Sequence, residues 1–171
     1  MTVALGRSAG WMLAACLLLL AADSGRTAEA ERGGQAPFFF VGTYNPDRCG
    51  QKRVFLDKLV GKRAAPPKKL LLLSFFNIDC KPRKKELPYL QKLYEKYEKA
   101  GLGILVVNSD GVPEKIAEMQ SYIDEAGFTY PVLKDRYQAL QRRYGVESFP
   151  TMFFIDDKGV ISDIRVGYNE E

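Results

Sequence analysis

The run Leu70 to Phe76, apolar at every position but Ser74, constrains this chain more than any other segment. It is too short for a typical helix. Breakers bound it, with the basic, proline-broken stretch Lys62 to Lys69 on one side and Asn77, Asp79 and Pro82 on the other. Such a run is the pattern of a strand buried on both faces, which requires covering layers on each side of its sheet. The centre of a sheet is expected here.

The flanking segments supply the cover. From Lys81 to Ala100 the period becomes helical: Leu87, Leu90, Tyr94 and Tyr97 form an apolar stripe, Lys84, Lys85, Gln91, Lys92, Glu95 and Lys99 a wet face, and Gly101 a stop. Pro88 should kink this helix. Ile104 to Val107 reads as a second buried strand, Pro113 to Ala126 as a second helix, Tyr130 to Leu133 as a short extended piece and Asp135 to Tyr144 as a third helix. Thr151 to Ile155 and Val160 to Val166 flank Asp156-Asp157-Lys158-Gly159, a hairpin turn signal. Upstream, Phe38 to Val41 and Val54 to Leu56 suggest an N-terminal hairpin, preceded by a flexible lead-in at 31–37. The predicted class is α/β, a central mixed sheet flanked by helices in a single domain from 38 to 171.

Composition removes several functions. No histidine occurs among the 171 residues, which excludes Ser-His-Asp and Cys-His catalysis and histidine zinc sites, and leaves cysteine as the strong nucleophile. The net charge of +4 is modest and its cations are not interleaved with stacking aromatics, so nucleic acid is not an expected partner. No metal-ligand cluster or phosphate loop is visible, and nothing in the sequence requires a cofactor. Basic stretches at 26–34, 62–69 and 81–85 read as solvated charge, or as peripheral contact with an acidic membrane surface.

At the N-terminus, Arg7, the apolar run Ser8 to Ala22 and Ala28-Glu29-Ala30 read as a signal peptide over 1–30, cleaved after Ala30. Leu13-Ala14-Ala15-Cys16 also spells a lipoprotein box, with Cys16 as the lipid anchor. Either way the protein is expected to be exported, to a periplasm-like compartment where disulfides are permitted. Of the three cysteines, Cys49 and Cys80 then remain in the domain.

The segment Ser74-Phe-Phe-Asn-Ile-Asp-Cys80-Lys-Pro82-Arg-Lys-Lys-Glu86-Leu-Pro88 resembles the Asn-Phe-Trp-Ala-Thr-Trp-Cys-x-Pro-Cys-Arg-x-Glu-x-Pro run of thioredoxin-like proteins of the TlpA/ResA kind, also grouped under redoxin names. Tyr144-Gly-Val-Glu-Ser-Phe149-Pro150-Thr151 is similar to that family's Tyr-x-Val-x-x-x-Pro-Thr stretch, and Gly50 to Lys62 to its N-terminal hairpin. The resemblance spans Phe38 to Tyr168 and implies a thioredoxin fold. It also implies a cis Pro150 beside Cys80, and a substrate groove formed by Asp79, Pro82, Phe149 and Pro150. Relatives begin a C-terminal helix where this chain reads Gly167 to Glu171, so that helix is expected to be missing: either the sequence is truncated there or the domain leaves apolar surface exposed.

Arg83 stands where the family has its second cysteine, and Asp79 where it has tryptophan. At a helix start the dipole, together with Arg83, should favour a Cys80 thiolate, and Asp79 should oppose it. In a dithiol site the second thiol resolves the mixed disulfide formed by the first. Without it, three mechanisms stay open: monothiol exchange of Cys80 with protein thiols or disulfides, resolved by an external thiol reductant; a disulfide between Cys80 and Cys49; or a redox-inactive peptide-binding or scaffold module around Cys80 and Pro150. A thiol peroxidase is the weakest reading, because Phe76 and Asn77 stand where peroxiredoxins frame their cysteine with Pro-x-x-x-Thr/Ser.

Overall fold

The computed structural model describes residues 30–81 and 83–167. Residues 1–29 of the expected signal peptide, with the Cys16 box, and Pro82 and the residues after Gly167 lie outside the described residues. Leu70–Phe76 is strand β3, the middle of a five-stranded sheet. Its parallel neighbour is β4, Leu102–Asn108, which in turn pairs in parallel with β5, Val132–Lys134. On the other side β6, Thr151–Asp156, runs antiparallel to β3, and β7, Ile161–Val166, runs antiparallel to β6. A separate two-stranded ladder joins β1, Phe40–Gly42, to β2, Arg53–Phe55.

The period of two along β3 divides the core. Leu71, Leu73 and Phe75 point to one face, where Phe39 and Val54 of the hairpin, Tyr144 and Phe153 cover them. Leu72 and Phe76 point to the other, beneath Leu87 and Leu90 of helix α2 (Arg83–Tyr97) and Met119 and Ile123 of helix α3 (Pro113–Ala126). Ser74 shares this second face, so its hydroxyl is aimed at α2.

The departures from the sequence reading have local causes. Residues 31–37 are not a loose lead-in. Gly33 donates to Ile161, Ile161 donates to Gly34, and Gln35 bridges Val160, so the segment pairs with the start of β7 and satisfies backbone groups an edge strand would leave open. The long helix begins at Arg83 and gives way after Tyr97 to a 3-10 turn, Glu98–Ala100, with Pro88 inside it. Within the hairpin loop a short helix α1, Pro46–Cys49, forms where only a turn is expected, because Asn45 donates to the carbonyls of Phe128 and Tyr130 and anchors the chain there. Helix α4 is only Ala139–Arg143. Asp135 stays outside it, its carboxylate accepting the Leu140 and Gln141 amides, and Gln138 is left-handed at φ 54°.

Candidate active site at Cys80

β3 ends at Phe76, and the chain turns through Asn77 to Cys80, the Cys80 amide donating to the Asn77 carbonyl at 3.2 Å. Two ties fix this turn. The Ile78 amide donates to Asp110 Oδ2 at 2.8 Å, and the Ser109 amide donates to the Phe76 carbonyl at 3.1 Å. Asp110 is buried and also accepts from Asn108 Nδ2 at 2.6 Å, while Asn108 Oδ1 accepts from the Tyr44 hydroxyl at 3.0 Å. Burial pushes the Tyr44 phenol up to about 12, so it keeps the proton it donates. A buried chain from Tyr44 through Asn108 and Asp110 thus holds the Cys80 turn from beneath.

Cys80 is 7% exposed. Cys80 stands three residues before Arg83, the first described residue of α2. Asp79 forms an ion pair with Lys115 at the start of α3, and the Asp79 carboxylate holds Lys115 above the usual lysine range. Such an exposed pair adds little stability. It does offset the charge that Asp79 places next to Cys80, so the opposition expected from this carboxylate is weaker than the sequence implies.

Pro150 follows a cis peptide from Phe149 and immediately precedes β6, whose Thr151 lies opposite Phe75 of β3. Phe149 and Pro150 therefore stand at the same end of the sheet as Asp79 and Cys80. Cys49 does not. Its thiol donates to the Gln51 carbonyl at 3.4 Å, and Gln51 lines a cavity with Lys68, Leu71 and Gly103, where β3 and β4 begin. The seven residues of β3 separate the two cysteines by roughly 20 Å at about 3.3 Å per residue, against the 7 Å or so a disulfide allows. Both cysteines stand as thiols. No disulfide joins Cys49 to Cys80 in this structure, which sets the two thiols toward opposite ends of β3.

Glu86 is a buried acid that the sequence reading did not single out. It is buried between α2 and β3, and Ser74 Oγ donates to its Oε1 at 2.6 Å. Burial raises its pKa, the Ser74 bond opposing in part. Its Oε2 has no hydrogen-bond partner among the described residues. The signal was in the helical period: Glu86 lies four residues before Leu90, on the apolar stripe rather than the wet face. Folded Glu86 holds its proton to higher pH than unfolded Glu86, so its contribution to stability is full below the unfolded pKa and is lost as pH rises through the folded value. Glu86→Gln should flatten that decline, measured as urea midpoints from below the ordinary glutamate range up to neutrality.

Residues 46–164 match the AhpC/TSA family model. The chain belongs to that family. Thiol-disulfide oxidoreductase ResA of Geobacillus thermodenitrificans (strain NG80-2) is 33% identical over 154 residues, covering 88% of this chain and 83% of that protein. Thioredoxin-like protein YneN of Bacillus subtilis (strain 168) is 31% identical over 137 residues, 80% and 72% of the two chains. Among solved structures, StoA from Bacillus subtilis superposes with a TM-score of 0.61 at 21% identity, covering 79% of this chain and 90% of that one. The exposed lipoprotein thioredoxin Etrx1 from Streptococcus pneumoniae gives 0.62 at 23% identity, covering 78% and 92%. These likenesses establish the thioredoxin fold, and the relatives make this a thioredoxin-like protein of the oxidoreductase type.

Proposed function

We propose that this protein exchanges disulfides through Cys80 alone, as an exported monothiol oxidoreductase acting on protein thiols and disulfides. The observation that supports the reading is that Cys80 sits at the Phe149–Pro150 end of the sheet while Cys49 lies at the opposite end and Arg83 opens α2 in the place of a resolving cysteine. In the first step the Cys80 thiolate attacks one sulfur of a substrate disulfide. A Cys80–substrate disulfide forms, the substrate disulfide breaks, and the released substrate thiolate takes up a proton. An external thiolate then attacks the substrate sulfur of the mixed disulfide and returns Cys80 as thiolate.

Trapping with oxidised protein substrates tests this reading. The full chain should accumulate a mixed disulfide at Cys80, released by small thiols and absent in Cys80→Ala. Complexes that form equally well with Cys80→Ala and carry no covalent link would overturn it in favour of the peptide-binding module.

A further inference from the structure

Phe38, Phe40 and Phe55 are 48%, 58% and 41% exposed, while Phe39 and Val54 between them turn into the core. Phe40 and Phe55 are directly opposed in the β1–β2 ladder and stack at 5.8 Å with an interplanar angle of 15°. Single exposed apolar side chains are ordinary, but rings gathered on one face mark a contact surface.

Two hollows flank Phe38. One, of about 400 Å3, lies between residues 38–41 and α4 and has Arg143 in its wall. The other, of about 560 Å3, is lined by Lys62, Arg63 and Lys158. Arg53 alternates with the buried Val54 and so shares the outward face of β2 with Phe55. The acids in these walls are already engaged. Asp57 pairs with Arg63 at 3.0 Å, and Asp135 is buried and accepts the Leu140 and Gln141 amides. The surface is therefore cationic around protruding rings.

We propose that the Phe38, Phe40 and Phe55 face of the hairpin docks on an anionic lipid bilayer. Rings of this kind enter the interfacial layer, and long cationic side chains around them keep their charged heads at the phosphates. A folded acidic partner would need carboxylates preset opposite each cation. Arg53, Lys62 and Lys158 are long and exposed, and a fluid headgroup layer meets them without preset geometry. Among the described residues no helix is long and apolar enough to cross a membrane, so this contact is with the bilayer surface. The hairpin covers the face of the sheet opposite α2 and α3, so docking leaves Cys80, just before α2, on the aqueous side.

The test uses the full chain with Trp11→Phe, which removes its only tryptophan, and Phe40→Trp as a reporter. Phosphatidylglycerol-containing vesicles should shift the emission of the introduced indole to the blue, and brominated acyl chains should quench it. Adding Arg53→Glu, Lys62→Glu and Lys158→Glu should raise the anionic lipid needed by at least roughly a hundredfold, at about fivefold for each cation lost, the introduced carboxylates adding to the loss. An unchanged Cys80 alkylation rate in that variant would show that it is folded. Three outcomes would overturn the proposal: emission unmoved although the chain is vesicle-bound through its apolar N-terminal run; an equal shift in neutral phosphatidylcholine that ignores the charge reversals; or a blue shift that grows with protein concentration without lipid, which indicates a protein partner.

Discussion

Arg83→Cys is expected to turn a chain that stores mixed disulfide into one that completes the exchange. The substitution restores a thiol at the first residue of α2, three positions after Cys80. A neighbour tethered at that range acts at an effective concentration of about 1 mM or more, so it should resolve the mixed disulfide roughly 10³-fold faster than a micromolar partner thiol. The introduced thiolate attacks the Cys80 sulfur, substrate leaves as thiolate, and a disulfide between Cys80 and the introduced cysteine remains for an external reductant. The measurement is the amount of trapped substrate on non-reducing gels over time. Wild type should plateau with Cys80 occupied, and Arg83→Cys should show only a transient. If trapping persists unchanged in Arg83→Cys, the missing thiol is not what halts the reaction.

Asp110→Ala should be the most damaging polar substitution near the site. It removes the acceptor for the Ile78 amide at 2.8 Å and for Asn108 Nδ2 at 2.6 Å, both buried. Each buried donor left unsatisfied costs roughly 1–3 kcal/mol, so a loss of about 2–5 kcal/mol is expected, with a fall in Tm on the order of 10 °C. Because one of those donors belongs to the turn carrying Cys80, the thiol should also become more accessible and react faster with alkylating reagents. Asp110→Asn keeps an acceptor oxygen and should recover much of both effects. A wild-type urea midpoint and alkylation rate in Asp110→Ala would show that the chain from Tyr44 to Ile78 does not hold the turn.

The sheet was legible because burial on both faces leaves its mark residue by residue. Leu71 to Phe76 and Ile104 to Val107 are buried on both sides, and they form most of β3 and the core of β4. Helix α3 was equally plain, since Pro113 and Gly127 punctuate it. Helix α4 was not, because the first part of the helix predicted there is occupied by Asp135 capping from outside, a tertiary arrangement that imitates helical composition. The lead-in at 31–37 misled for a similar reason. A polar, glycine-rich stretch looks the same whether it wanders in solvent or lends its backbone to the edge of β7.

At the site, local chemistry was carried by the sequence and partnership was not. One run of residues determined that a lone thiol follows a buried strand and precedes a helix, that Arg83 replaces a second cysteine, and that a Phe149–Pro150 element recurs far downstream. Partners far apart in the chain required coordinates, because sequence separation says nothing about which ends of which strands meet. Folding therefore decided that Lys115 offsets Asp79, that Asp110 reaches back to Ile78 and that Ser74 meets the buried Glu86. The same register placed Cys49 at the opposite end of β3 from Cys80, since a rigid strand holds its two ends apart by its full length.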